Sequence, residues 1–288
     1  MVEWRLDRKA EAHSVEVRLQ NRKGITKWYK FDSGVFGLSL GMKAKKQLER
    51  HALVLIVGGV GDGKSTFVSG LAALDSQVNG NILNMDDVAW SMTKFIQLLD
   101  SAENKGRVIW GDEFIQAGGS RGMALTNIGN KLKVGFVTKR LKENTYILVA
   151  DEPKEFPDKL INMCDAMIHV KSLGVLRGYI DIYTNKWAIN KIYELNKDLK
   201  LGWDHPMMKK IKPNKKGKFE NWKDEFLDSE EFDRRKIEET RQMEEKGANG
   251  KDKEELRKKA LALIDKGMKR TEVARELEIT YNQLRGLI

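Results

Sequence analysis

The sequence predicts an α/β protein with a mostly parallel sheet and helices on both faces, followed by a small all-α module. Three observations carry this. Ala52 to Val57 is a continuous apolar run, suited to a strand buried on both faces. Strand-like and helix-like patterns then alternate as far as Tyr183, which is the signature of a parallel sheet with crossover helices. Helical periodicity returns from about residue 251, behind a charged stretch. The 288 residues are 41% hydrophobic and 33% charged, enough to bury a sizeable core while leaving part of the chain outside it.

In chain order, Ser14 to Leu19 alternates with period two, Asn21 to Gly24 supplies turn chemistry, and Ile25 to Phe31 returns as a second strand. These make residues 1–50 a β-rich cap, closed by a short basic helix around Lys43 to Arg50. After the buried strand, Thr66 to Leu74 reads as a helix and Asn81 to Met85 as a short strand. Val88, Met92, Phe95, Ile96 and Leu99 mark one helix face, and Arg107 to Trp110 is a further strand. Leu125, Ile128, Leu132 and Phe136 repeat the helical spacing. Tyr146 to Ala150, Ala166 to Val170 and Gly178 to Tyr183 complete the strands of a domain at 51–200. Residues 201–250 read as a charged tether, with lysines crowded between Lys209 and Lys218 near Trp203, Phe219 and Trp222. A grip on a DNA backbone is the alternative for that cluster.

Charge and cysteine usage narrow the class. Fifty-two Lys plus Arg against 42 Asp plus Glu leave a formal net charge of +10, which favours polyanionic partners through phosphate neutralisation. The single cysteine, Cys164, cannot form an intramolecular disulfide and reads as core, fitting a reducing interior. No long apolar run or signal pattern is visible, so no membrane insertion is expected and the location is read as cytoplasmic. His13, His51, His169 and His205 lack ligand spacing, so no zinc site is expected.

One motif carries chemistry. Gly58-Gly59-Val60-Gly61-Asp62-Gly63-Lys64-Ser65 matches G-x-x-x-x-G-K-[ST] between a buried strand and a helix, the context in which such a loop binds phosphate. Gly58 to Thr66 is therefore the expected nucleotide cradle. Backbone N–H groups and the helix's positive end would meet the phosphates, Lys64 the β- and γ-phosphates, and the Ser65 hydroxyl Mg²⁺. ATP and Mg²⁺ are the expected cofactors, and the fold is read as a RecA-like P-loop NTPase. Two strands end in paired acids, Asp112-Glu113 and Asp151-Glu152. The first pair is preferred as metal ligand (Asp112) and general base (Glu113), with Asp151 a γ-phosphate sensor; the second pair in those roles is the alternative.

The order GGVGDGKS, a strand-helix spacer, VIWGDEF, a Lys- and Arg-rich helix, then YILVADEPKEFPDKLINMCDAMIHV resembles the additional-strand P-loop ATPases of archaeal viruses and plasmids. These are related to the FtsK and HerA DNA-pumping motors and to zonular-occludens-toxin-type proteins. The resemblance spans Leu53 to Tyr183 and implies ATP hydrolysis coupled to moving or packaging DNA, in a homo-oligomeric ring such as a hexamer, alongside viral or mobile-element proteins. A ring needs an arginine from a neighbour; Arg121, Arg140 and Arg177 are candidates, with Arg140 preferred. The resemblance places a plain polar residue where this chain has Asp151-Glu152.

At the C-terminus, KGMKRTEVARELEITYNQLRGLI resembles the helix-turn-helix of resolvases and small regulators, in a module at 251–288. Ala274 is small where two helices would touch, Ile279 plugs the core and Leu284 anchors the recognition helix, while Glu278 replaces the usual turn glycine. Thr280, Tyr281, Asn282, Gln283 and Arg285 are then the expected DNA contacts. A DNA-translocating or packaging ATPase leads; a nucleotide-switched DNA-binding regulatory or partition NTPase, and a secretion or assembly ATPase with a protein-binding C-terminus, are the alternatives.

Overall fold

The structure, a computed structural model, describes residues 2–6, 14–100, 106–112, 143–174, 177–222, 224–265, 268, 270–277 and 284. The chain forms two compact units, Met1–Lys236 and Ile237–Ile288. No helix among the described residues is long and apolar enough to cross a membrane.

The larger unit opens with strands β1 (Trp4–Leu6), β2 (Ser14–Gln20) and β3 (Thr26–Asp32), an antiparallel three-stranded sheet. Gly24, at φ +77°, makes the turn between β2 and β3. Asp32 accepts from the Gly34 N–H and starts α1 (Ser33–Gln47), well before the expected Lys43. Next come β4 (Ala52–Val57) and α2 (Lys64–Val78). The strand expected at Asn81 to Met85 does not form. Asn84 instead caps a short 3-10 turn, Met85–Asp87, in a reciprocal capping box with Asp87, and β5 (Val88–Ala89) follows it.

Helix α3 (Met92–Asp100) leads to β6 (Val108–Gly111) and, beyond the undescribed residues 113–142, to β7 (Thr145–Ala150). The helix expected at Leu125 to Phe136 lies outside the described residues. Then follow α4 (Asp158–Met163), β8 (Ala166–Leu173), β9 (Arg177–Tyr183), α5 (Lys186–Asp198), α6 (Pro206–Lys209) and β10 (Lys215–Glu220). The seven-stranded sheet has the order β10-β9-β8-β4-β7-β6-β5. Strands β4 to β8 pair in parallel, whereas β9 and β10 add antiparallel.

Alternation along β4 sorts two cores. Val54 and Ile56 face α2 and the small N-terminal sheet, sharing one cluster with Val17, Phe31, Phe67 and Leu71. Leu53, Leu55 and Val57 face the other layer, with Phe95, Leu160, Ile189 and Ile192. Burial on both faces is what a parallel central strand requires. Cys164 is buried in this second cluster, and burial raises its thiol to about 11, so its place is in the core, as the sequence implies.

The expected tether is a correction. Residues 206–236 belong to the larger unit, because β10 buries Gly217 and Phe219 beneath exposed lysines and Trp222 and Phe226 plug the α2 face. Asp228 accepts from the Glu230 and Glu231 N–H groups and starts α7 (Ser229–Asp265), a helix of 37 residues that runs through Gly247 to Gly250 without a break. Phe232 in its first turn sits against Trp90 and Trp110, with ring centroids 5.0 and 5.1 Å away.

The second unit holds the remainder of α7 and α8 (Arg270–Glu276). Its core is Ala260, Val273 and Leu284, flanked by Leu263, Ile264, Met268 and Leu277. Leu284 is thus buried. Thr280, Tyr281, Asn282, Gln283 and Arg285 lie outside the described residues, as do Ile279 and Glu278.

Candidate nucleotide-binding site

The glycine loop hangs between the C-terminal ends of β4 and its neighbours. A Cβ on Gly58 would come within 2.3 Å of the Val170 carbonyl oxygen, and one on Gly63 within 2.5 Å of Leu173 Cβ, so β8 presses on the loop at both ends. Gly63 also holds φ +87°, which an L side chain rarely adopts. Asp62 turns inward and accepts from the Gly59 N–H at 2.6 Å, while Val60 at the tip is 88% exposed.

Gly63 is the N-cap of α2 and offers no side-chain acceptor, so the first-turn N–H groups of Lys64, Ser65 and Thr66 have no capping side chain. An uncapped helix N-terminus behind a bent glycine loop carries positive potential and free donor directions, the requirements of a bound phosphate. Lys64 completes the cradle. Its ammonium donates to Gly58 O at 2.7 Å, Gly59 O at 3.0 Å and Asp151 Oδ1 at 2.7 Å, folding the side chain over the loop. The residues present therefore fit a polyphosphate.

Asp151 follows β7, the strand directly beside β4. Its carbonyl accepts from the Gly58 N–H at 3.2 Å and its own N–H donates to Glu155 Oε2 at 3.0 Å. Burial holds the Glu155 carboxyl above its ordinary range, with the Asp151 N–H opposing that rise. Glu152 stands at the head of the turn Pro153–Glu155 and pairs with Lys154. Asp112 follows β6, one strand further out, and is buried at 1% exposure. Its N–H donates to Ala89 O at 2.9 Å, and its Oδ2 lies 3.4 Å from Lys236 Nζ on α7. β7 thus stands between the loop strand and the strand bearing Asp112.

The sequence expects Lys64 and Ser65 at the glycine loop and Asp151 at the end of another strand; in the structure Asp151 meets the Lys64 ammonium, and Ser65 follows Lys64 in the first turn of α2. Glu113, Arg121 and Arg140 lie outside the described residues. Arg177 heads β9 at the surface. Three contributors went unread. Glu155 has a local signal, an acid just behind a proline-started turn, whereas Leu173 and Lys236 reach the site only through tertiary contact.

Buried groups near the sheet are not all part of this cradle. His169, on β8, stacks flat on Trp203 with centroids 3.7 Å apart and an interplanar angle of 11°. Burial chiefly, and then Lys171, lowers its imidazole to about 4, against a small opposing effect of Asp204. It is a neutral packing group at neutral pH.

Strand, glycine loop, helix and a mostly parallel sheet together make this the α/β fold of P-loop NTPases of the RecA-like type. No family model matches the chain, and no curated protein matches it. Among solved structures, the N-terminal domain of zonular occludens toxin from Neisseria meningitidis aligns at 13% identity, over 47% of this chain and 84% of that one, with a TM-score of 0.34. A replication initiator DnaA bound to AMPPCP and single-stranded DNA aligns at 13% identity, over 88% of this chain and 85% of that one, with a TM-score of 0.31. Likeness at this level says nothing about ligand or activity.

Proposed function

We propose that the chain is a Mg²⁺-dependent ATPase that binds DNA and couples hydrolysis to DNA translocation or packaging for a virus or mobile element. The observation that carries the ATPase part is the uncapped N-terminus of α2 with Lys64 folded over the loop onto Asp151. In this reading the loop amides and Lys64 bind the phosphates, and Ser65 and Asp112 hold Mg²⁺, which when bound offsets charge on the phosphate oxygens. Glu113, next to Asp112 in sequence, is the base for the attacking water, and Asp151 releases Lys64 to the γ-phosphate and senses it. Arg140 of a neighbouring copy is the finger in a ring. The net charge of +10 and the C-terminal module with Thr280, Tyr281, Asn282, Gln283 and Arg285 support the DNA part.

A second reading has its own observation. Lys236 stands 3.4 Å from the Asp112 carboxylate on a helix that continues into the C-terminal unit, which favours a nucleotide-controlled switch over a processive motor.

Calorimetry with Mg·ATP on the folded protein tests the common ground, and Lys64→Ala should abolish turnover while leaving the thermal transition in place. Absent Mg·ATP binding by the wild type, or full turnover in Lys64→Ala, defeats the reading. Turnover that climbs with DNA length selects the motor; nucleotide-dependent DNA binding with negligible turnover selects the switch.

A further inference from the structure

The lysine cluster that reads as a tether in sequence is instead built into a groove. About 440 Å³ of space lies where β3 meets the β9–β10 edge of the large sheet, lined by Lys30, Asp32, Arg177, Tyr179, Lys216 and Lys218 among others. The register aligns the groups: Arg177 stands opposite Glu220, and Tyr179 opposite Lys218, on the same sheet face. Lys216 and Lys218 are exposed, while Gly217 and Phe219 between and beyond them are buried. The strand is thus pinned by its inner face and presents its cations outward.

The acids in the lining do not cancel this field. Asp32 is engaged as the N-cap of α1. Glu220 is raised by burial, and Arg177 and Lys30 oppose that rise, which places both cations within its reach. Four cations therefore face two acids, each with a partner. Among them sits Tyr179, 49% exposed, with Lys218 Nζ 5.8 Å from its ring centroid. An exposed aromatic face flanked by cations suits a base stacked between phosphates, whereas an acidic peptide offers charge without a planar group for the ring. A duplex is the wrong shape, because its bases are stacked internally and cannot reach a ring in a groove between two sheets.

We propose that this groove binds single-stranded nucleic acid, with phosphates on Arg177, Lys216 and Lys218 and a base stacked on Tyr179. The assignment deepens the DNA-binding reading given above and rests on it for the class of partner, but not on ATP hydrolysis. The groove also shares a wall with the nucleotide loop. Leu173, which packs on Gly63, pairs with Gly178, and Phe219 packs edge-on against Phe67 of α2 at 5.1 Å.

The test uses the full-length protein without nucleotide and a fluorescein-labelled oligo-dT, read by anisotropy over a series of salt concentrations. Tyr179→Ala should weaken binding about tenfold and Tyr179→Phe should restore it, as a stacking contact demands. Lys216→Gln with Lys218→Gln should weaken binding and reduce the slope of log affinity against log salt by about 1.4, two phosphate contacts on a single strand. Circular dichroism and the thermal midpoint report whether each variant folds, and Arg177→Gln is a third, independent probe. Wild-type binding that all these variants retain overturns the groove and leaves the DNA-binding reading standing. If the wild type binds no nucleic acid, both fall together, and capture of poly-glutamate lost in the same variants would give the groove to an acidic protein. Oligo-dT binding that Tyr179→Ala leaves unchanged, whatever the affinity for duplex, overturns the stacking assignment.

Discussion

Lys64 shows how much of a site one residue can organise. Its ammonium meets two loop carbonyls and the Asp151 carboxylate, so one side chain ties the loop to the neighbouring strand. This part was legible in sequence because every piece except Asp151 lies within a few residues. His169 was not: nothing near it in sequence announces Trp203, and only the fold brings the rings together. Its consequence is a pH dependence. The unfolded imidazole binds its proton near 6.5 and the folded one near 4, so between these values the unfolded chain holds more protons. Stability from this group is flat above about pH 6.5 and falls as pH drops toward 4, by about 2 kcal/mol between roughly pH 7 and pH 5. In His169→Phe the urea midpoint should change less over that range than in wild type; equal slopes would show that His169 is not the group responsible.

Among the elements, α2 is closely fitted at Gly70. A Cβ on Gly70 would fall 1.9 Å from Trp222 Cε3, and Trp222 itself is wedged against Phe31 at 4.8 Å and Phe219 at 6.1 Å. Gly70→Ala must push Trp222 out of its slot. It should lower stability by about 1–3 kcal/mol in a denaturant titration, despite alanine's better helix propensity, and a smaller residue at 222 should recover part of the loss. A gain in stability would mean that Trp222 moves freely. β10 explains why such fits escape sequence reading. Its six residues, Lys-Lys-Gly-Lys-Phe-Glu, offer only Gly217 and Phe219 to the core, and charge composition hides so thin an inward face. β5 is two residues long and carries no period at all. By contrast β4 and β7 are buried along their whole length and were plain from their apolar runs.

At the level of the whole molecule, the C-terminal unit has its own small core of Ala260, Val273 and Leu284, separate from the clusters that build the sheet layers. Removing residues 251–288 should weaken duplex binding several-fold in a mobility-shift assay while basal ATP turnover persists; equal duplex affinity would take DNA recognition away from this unit. The mostly parallel character of the large sheet was legible as a β-α alternation, but its strand order and antiparallel border were not, because pairing depends on connections that a hydrophobic pattern does not encode. One further property follows from the root of α7. Phe232 is clamped by two indoles, and Lys236, one helical turn on, touches the acid behind β6. Any change in the first turns of this helix therefore falls within one turn of a buried carboxylate, so the two indoles and the acid answer to the same short stretch of backbone.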